Sequence, residues 1–202
     1  PPLITDTSII TTPTTVYRFT NIGATAVSAE LRTYESFRPD DAGEPLELVR
    51  DDSRLLGYRI LTARDTIVLD TIPFTATRST AADGAETLRY EGRAGELQIA
   101  LTYTFVPDSY LVRVQGDIQG FTPPASLLID LPRGLRTQEA DTIDDQRHLA
   151  YVFKPRTGDA TSVNFSDLDP GQGYLGEGPI TWAATKTKYF LVGLLAPDDQ
   201  RT

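Results

Sequence analysis

The sequence contains no cysteine and no methionine, and it has only one histidine and one tryptophan. Without cysteine the chain can form neither disulfide bonds nor thiolate metal sites, and it has no cysteine nucleophile. The single histidine, His148, cannot supply the several histidine or cysteine ligands that a zinc site uses. These shortages exclude many common metal-dependent and nucleophilic chemistries.

The chain also lacks an initiator methionine and any segment typical of a signal peptide or a membrane span. We therefore expect a soluble fragment or a processed form of a longer protein. Acidic residues outnumber basic residues by 28 to 19, which gives a net charge of −9. This charge repels a phosphate backbone and an anionic lipid surface at long range, so nucleic acid is not an expected partner.

Alternation of apolar and polar residues dominates the sequence and predicts an all-β protein. Between residues 97 and 105 every second residue is apolar, and the residues between them are polar or small. This period of two is typical of a strand with one buried face. Pro107, Asp108 and Ser109 then supply turn residues, and a second alternating run follows. Residues 96–119 are therefore predicted to form a hairpin.

Further strands are predicted along the whole chain, which is typical of a sandwich or a barrel. They are residues 15–20, 26–34, 46–49, 57–61, 66–70, 73–77, 86–91, 126–131, 148–154, 161–165, 180–185 and 189–195. The best helical candidate is Gln138 to Arg147, where we expect a loop with at most one helical turn. No linker divides the chain, so we expect a single domain, 1–202, with residues 1–15 as a loosely held lead-in strand.

His148 is the first candidate for chemistry, because it is the only histidine and it begins a predicted strand. It is either a polar residue at the end of a strand, which is the interpretation we favour, or a catalytic base. No Gly-x-Ser-x-Gly elbow accompanies it, and a serine triad also needs an orienting acid. No catalytic residue is predicted.

Acidic residues provide the other candidates. Asp167 and Asp169 occupy the first and third places of a calcium loop, but Gly171 and Gln172 stand where that motif needs an oxygen side chain and a glycine. We expect a glycine-rich surface turn there, and we predict no metal and no cofactor. Paired carboxylates can do acid–base work on glycosides, but adjacent residues usually point apart into water. The acidic doublets are Asp40–Asp41, Asp51–Asp52 and Asp144–Asp145.

The most informative segment runs from Ile180 to Pro197. It holds the only tryptophan, two of the three lysines and the longest uncharged apolar run. It resembles the pattern that ends the large periplasmic domain of bacterial YidC-type membrane insertases. The residues that carry this resemblance are Trp182, Lys188, Tyr189, Phe190 and Pro197.

Two other segments resemble the same family. Leu101 to Tyr110 is similar to the central hairpin of these periplasmic domains, and Thr15 to Tyr34 is similar to their opening hairpin. The family usually shows a Gly-Gly pair in the opening hairpin, where this chain has Gly23 and Ala24. The resemblance therefore covers most of the chain, with residues 35–95 matched only by order and length.

The resemblance implies a β-supersandwich, in which two large antiparallel sheets pack face to face as in galactose mutarotase. Mutarotases use two histidines and a glutamate, so a chain with one histidine is implied to keep the scaffold without the sugar chemistry. The implied function is that of a non-enzymatic accessory domain on the periplasmic side of the bacterial inner membrane. The full-length protein is implied to be a multi-pass membrane protein whose five-helix core is not part of this chain.

The implied partners are components of the Sec translocon and nascent membrane proteins, and we expect the domain to be a monomer. The loop from Pro132 to Arg147 is our candidate for the docking surface, since functional contacts concentrate on long charged loops. The alternative is a solvated connector. Trp182 and Phe190 are predicted to be structural.

The residues alone leave two other classes of function open. A β-sandwich of this size could bind or process carbohydrate, which would need converging carboxylates with an aromatic platform, or a pair of histidines. It could also be a cell-surface adhesion domain.

Overall fold

The structure is a computed structural model that describes residues 5–50, 53–120 and 125–196. Among the described residues, strands make up 52% and helices 6%, which confirms the predicted all-β class. Single 3₁₀ turns are present at Leu69–Thr71 and Phe165–Asp167. The other elements are β1 (Thr7–Thr11), β2 (Thr15–Thr20), β3 (Thr25–Glu35), β4 (Pro45–Glu47), β5 (Gly57–Thr62), β6 (Thr66–Val68), β7 (Phe74–Thr80), β8 (Glu86–Ala94), β9 (Leu97–Phe105), β10 (Val112–Gln119), β11 (Ala125–Asp130), α1 (Thr142–Gln146), β12 (Ala150–Pro155), β13 (Thr161–Asn164), β14 (Ile180–Lys186) and β15 (Leu191–Leu195).

The predicted strands coincide with observed strands, with ends that shift by no more than a few residues. The predicted short helical turn is α1, a helix of five residues. The stretch that we expected to be a lead-in contains β1, which pairs with β2 along its whole length. Residues 1–4, Asp51, Asp52 and Pro197 lie outside the described residues. In the described part of the chain, no helix is both long enough and apolar enough to span a membrane.

The chain forms two compact units. The first comprises Pro1–Glu35 and Pro45–Asp130, and the second comprises Ser36–Glu44 and Leu131–Thr202. The first unit holds three sheets with the strand orders β1-β2-β3-β4, β10-β9-β8-β7 and β11-β5-β6, and the second holds the sheet β13-β12-β14-β15. All of these strand pairs are antiparallel. Two compact units can belong to one domain, so the single-domain expectation stays a prediction.

The predicted hairpin 96–119 is confirmed as β9 and β10, which pair from Gln98 with Gln119 to Phe105 with Val112. β8 pairs with the other edge of β9. The apolar face of β9 is buried, with no side chain more than 7% exposed, and consists of Leu97, Ile99, Leu101, Tyr103 and Phe105. The alternation in the sequence therefore directs one face of this sheet into the core of the first unit and leaves the other face polar.

Aromatic rings join the buried face of β9 to β2. The centroids of Phe19 and Tyr103 lie 4.7 Å apart in an edge-to-face arrangement, and those of Tyr17 and Phe105 lie 5.2 Å apart. Such pairs stabilise a core by about 0.5–1.5 kcal/mol beyond the burial of their area. They pack two sheets of the first unit against each other.

A chain of buried hydroxyl groups crosses this core. The Tyr103 hydroxyl donates a hydrogen bond of 2.7 Å to the carbonyl oxygen of Ala24. The Tyr58 hydroxyl lies 2.7 Å from that of Tyr103 and must donate to it, because the single hydroxyl hydrogen of Tyr103 is already used. Burial raises the pKa of Tyr58 to about 12 and raises the pKa of Tyr103 well above 10.0. Both tyrosines therefore stay neutral at physiological pH.

The carbonyl group of Ala24, which accepts the hydrogen bond from Tyr103, lies in an unusual turn between β2 and β3. Gly23 and Ala24 both have left-handed backbones, with φ of 82° and 52°. Ala24 thus adopts a conformation that favours glycine, at the position where the resembling family shows its second glycine. The turn directs the Ala24 carbonyl toward Tyr103, and so one hydroxyl connects β9, β5 and the β2–β3 turn.

We expect Tyr103→Phe to lower the free energy of unfolding by about 1–3 kcal/mol, because it leaves both the Ala24 carbonyl and the Tyr58 hydroxyl unpaired. Tyr58→Phe should cost less, about 0.5–1.5 kcal/mol, because Tyr103 still donates to Ala24. Urea denaturation of both variants measures the difference. Equal costs, or a larger cost for Tyr58→Phe, would contradict the direction assigned to the hydrogen-bond chain.

Candidate docking surface

Two features that the sequence singled out meet in the second unit. α1 lies within the loop 132–147, and the Lys188 and Tyr189 pair lies in the turn that joins β14 to β15. The Lys188 Nζ lies 2.7 Å from a carboxylate oxygen of Asp144. The backbone N–H of Lys188 donates to the carboxylate of Asp145 at 3.3 Å. We call these two contacts the Lys188 clamp.

The N-terminus of α1 is set by Asp141. Its carboxylate accepts hydrogen bonds from the backbone N–H groups of Ile143, at 3.1 Å, and Asp144, at 3.0 Å. Asp144 and Asp145 lie in the first turn, where negative charge favours a helix. A helix of five residues is marginal by itself. We therefore infer that its position depends on the Lys188 clamp.

The turn between β14 and β15 is closed by Thr187 and Phe190. The backbone N–H of Thr187 donates to the Phe190 carbonyl at 2.8 Å, and the N–H of Phe190 donates to the Thr187 hydroxyl at 3.1 Å. Thr187 is buried, whereas Lys188 and Tyr189 project from the turn. The Lys188 Nζ also lies 5.2 Å from the centroid of the Tyr189 ring, within range of a cation–π contact.

The charges of the clamp are mutually stabilised. The hydrogen bond from Lys188 lowers the pKa of the Asp144 carboxyl, and the positive charges of Lys188 and Arg147 act in the same direction. The hydrogen bond to Asp144 likewise raises the pKa of Lys188. Both groups are therefore charged at neutral pH. Side chains this exposed contribute little to stability, so the main effect of the pair is to hold α1 against the turn.

His148 anchors the C-terminal side of α1. Its Nδ1 lies 2.8 Å from the Asp144 carbonyl oxygen, and because a carbonyl can only accept, the ring nitrogen donates. Lys186 Nζ donates to the His148 carbonyl at 2.9 Å. β12 begins at Ala150, so His148 lies two residues before the strand and does not begin it. This use of the ring supports a structural role.

Exposed apolar side chains flank the clamp. Ile143 is 66% exposed and Tyr189 is 64% exposed. We call Ile143, Asp144, Lys188 and Tyr189 together the α1–turn surface. It offers apolar contact area beside an ion pair whose hydrogen bonds are already made, which suits reversible contact with another protein.

The other acidic candidates do not converge. The Asp167 carboxylate accepts from the Asn164 amide at 3.1 Å and from the Ser166 hydroxyl at 3.2 Å. Asp41 accepts from Ser36 and from Arg136, each at 2.8 Å, while its neighbour Asp40 is exposed. Among the described residues, no group of three or more histidine, aspartate or glutamate side chains is placed to hold a metal ion.

The clamp could not be found from sequence spacing, because Asp144 and Lys188 are far apart in the chain. The sequence contained only indirect signs of this contact. Lysine is scarce, and an acidic doublet, Asp144 and Asp145, lies in a loop between predicted strands. Only the pairing of β12 with β14 brings the loop before β12 and the turn after β14 to the same end of the sheet.

Lys188→Met should raise the pKa of Asp144 toward its ordinary value of 3.8, because the substitution removes the hydrogen bond and the charge that lower it. A carboxyl whose folded-state pKa is depressed adds stability above its unfolded pKa and loses that contribution as pH falls through the folded pKa. Carbon-13 NMR of the aspartate carboxyls across acidic pH measures the change. Lys154→Met is the control, since Lys154 contacts Gly158 instead. An unchanged Asp144 pKa in Lys188→Met would rule out the ion pair between Lys188 and Asp144.

Trp182 and Phe190 are both half-buried, so their structural role should be smaller than that of fully buried aromatic residues. We expect Trp182→Ala and Phe190→Ala each to cost about half of the roughly 3–5 kcal/mol typical of a buried aromatic side chain. Leu175→Ala is the matched control, because Leu175 is 96% exposed. Thermal melting compares the three. A melting temperature within a degree or so of wild type would reassign that aromatic residue as a contact residue.

The comparisons with known proteins agree with the features found in the sequence. The family model described as the YidC periplasmic domain matches residues 8–202, which includes both hairpins and the segment around the Lys188 clamp. A search of curated proteins found no match. The family name places the domain on the periplasmic side of the membrane and associates it with an insertase. The chain belongs to the YidC periplasmic domain family.

Proposed function

We propose that this chain is a non-enzymatic accessory domain of a YidC-type insertase, which assists the insertion and folding of membrane proteins. It does so by docking to Sec components or to substrate chains through the α1–turn surface. The full-length protein is then a multi-pass protein of the inner membrane. The observation that carries the proposal is the Lys188 clamp, because it joins the segment most typical of the family to the long charged loop.

The composition of the α1–turn surface supports docking over catalysis. Its carboxylate and ammonium groups are engaged with each other, and the ring of His148 is engaged with a backbone carbonyl. The exposed Ile143 and Tyr189 supply the apolar area that a transient partner would cover. Weak contacts suit a domain that must release each client after insertion.

For the fold, we propose the β-supersandwich and the single domain that the family resemblance implies. Support comes from the sheets themselves, which are antiparallel and mostly four-stranded. Further support comes from the aromatic contacts that pack the sheet of β2 against the sheet of β9 in the first unit.

The alternative function is carbohydrate binding, which would need converging carboxylates with an aromatic platform, or a pair of histidines. A groove of about 600 Å³ on the polar face of β8, β9 and β10 can be compared with this requirement. Two carboxylates, Glu91 and Asp117, line this groove. The described residues that line it include no aromatic side chain on which a sugar ring could stack. The groove therefore has the carboxylates of a carbohydrate site but not the aromatic platform, and we favour docking.

The test uses the full-length insertase with the double substitution Ile143→Ser and Tyr189→Ser. Both side chains are largely exposed, so folding should be unaffected. We expect site-specific crosslinking to Sec components or to a nascent chain to fall several-fold, with slower substrate insertion. Leu175→Ser, at another exposed apolar position of the second unit, should leave both unchanged.

Two results would contradict the proposal in different ways. Unchanged crosslinking in the double variant would show that the α1–turn surface is not the docking site. Insertion of a substrate into liposomes by the isolated domain would overturn the accessory role itself.

A further inference from the structure

The polar face of β8, β9 and β10 forms a groove in the first unit whose floor is Ala100. In the register of the sheet, Ala100 lies opposite Glu91 of β8 and Asp117 of β10. Neighbouring strands lie about 4.8 Å apart, so the two carboxylates stand on either side of the short Ala100 side chain. Because the side chain of Ala100 is short, a groove of about 600 Å³ lies above the sheet at this position.

Part of the polar lining is already paired. Glu91 accepts hydrogen bonds from the Arg89 guanidinium at 2.8 Å and 3.1 Å, and Arg89 also donates to the Thr102 hydroxyl at 3.3 Å. Asp117 accepts from the Gln119 amide at 3.2 Å. Glu91 therefore has a positively charged partner, Arg89, whereas the partner of Asp117 near the middle of the groove is the neutral amide of Gln119.

Two further arginines on the same face have no acidic partner among the described residues. Arg93 stands opposite Gln98 in the register of β8 and β9, and Arg113 stands opposite Thr104 in that of β9 and β10. Both are exposed, and within the described residues neither makes an ion pair or a side-chain hydrogen bond. The rows of Gln98 and Thr104 are six residues apart along β9, which is on the order of 20 Å.

The charge of this face differs from that of the chain as a whole. Two positive groups, Arg89 and Arg93, and two negative groups, Glu91 and Asp117, line the groove, and Arg113 adds a third positive group beyond its end, on a chain of net charge −9. Guanidinium groups match carboxylates in geometry and charge. The free arginines at the two ends of the face are therefore positioned for carboxylates that lie about 20 Å apart.

We propose that this face binds, along the groove and onward to Arg113, an extended polar polypeptide segment that has acidic residues near its two ends and no lysine or arginine. About six or seven extended residues span the separation between Arg93 and Arg113. The amides of Gln98 and Gln115 can donate to and accept from the backbone of such a segment. Asp117 disfavours a third acidic residue at the centre and can accept from a peptide N–H there.

The class of ligand rests on the proposed function in one respect. Segments of membrane proteins that cross to the periplasmic side are poor in lysine and arginine, because positively charged loops stay in the cytoplasm. An accessory domain on that side therefore meets segments of the composition that the groove fits. The groove itself, with its register and free arginines, does not depend on that role.

The test measures peptide binding by the isolated chain with NMR of backbone amides at low salt. The probe is a peptide of about seven residues, acetyl-Asp-Ser-Gly-Gln-Ser-Gly-Asp-amide, and the control peptide carries lysine in place of both aspartates. We expect the acidic peptide to shift amides of β8, β9 and β10, and the lysine peptide to bind at least several-fold more weakly. Maltoheptaose serves as the carbohydrate probe and should cause no shifts.

Two sets of variants locate the binding. The pair Arg93→Gln and Arg113→Gln should weaken binding about five- to tenfold, as the loss of two exposed ion pairs implies. The matched pair Arg64→Gln and Arg156→Gln, two exposed arginines elsewhere, changes the net charge equally and should have less than about a twofold effect. Ala100→Leu fills the floor from the polar face, so it should block binding without lowering the melting temperature.

The inference is overturned if the acidic peptide does not bind, if the lysine peptide binds equally well, or if the two arginine pairs have the same effect. Shifts of the same amides by maltoheptaose alone would assign the groove to carbohydrate and overturn it too. These results are independent of the crosslinking experiment. If the acidic peptide does not bind but the crosslinking experiment supports docking at the α1–turn surface, only this inference fails and the proposed function stands.

Discussion

The first unit depends on one buried hydroxyl group, that of Tyr103. A polar group in a core is tolerated only when its hydrogen bonds are made, and this group makes two at once. A slip of β9 by one residue would turn Tyr103 to the polar face and leave Ala24 and Tyr58 without partners. The hydrogen-bond chain therefore specifies the register of β9. Since burial keeps both tyrosines neutral, it does so without placing a charge in the core.

The same register determines the opposite face of the sheet. Because Tyr103 and Phe105 point inward, Gln98, Ala100 and Thr102 point outward, and the pairing places Glu91 and Asp117 beside Ala100. The groove and the two free arginines of this face thus follow from core packing on the other side of the strands. A binding face of this kind is rigid because its side chains project from paired strands and not from a loop.

Local pattern explains what could be predicted from the sequence. The alternation in β9 and β10 identified both faces correctly, because burial of one face imposes a period of two. β1 lies within the predicted lead-in strand 1–15, but its bounds could not be predicted because residues 7–11 carry no clear alternation, and it forms by pairing with β2. The half-burial of Trp182 and the contact of Lys188 with Asp144 depend on long-range packing, which residue spacing does not encode. The groove required the register of three strands, although the polar residues that line it were visible in the sequence.

The two candidate surfaces use positive charge in opposite ways, and this difference separates the partners that we propose for them. At the α1–turn surface Lys188 is neutralised by Asp144, so what it offers a partner is mainly the apolar area of Ile143 and Tyr189. On the polar face of β8, β9 and β10, Arg93 in the groove and Arg113 beyond its end have no acidic partner among the described residues. Salt at physiological strength screens exposed charges beyond about 8 Å, so binding to the groove must weaken as salt rises, whereas burial of apolar area must not. Under the two proposals, this difference in salt dependence separates an apolar contact at the α1–turn surface from an acidic extended chain on the polar face.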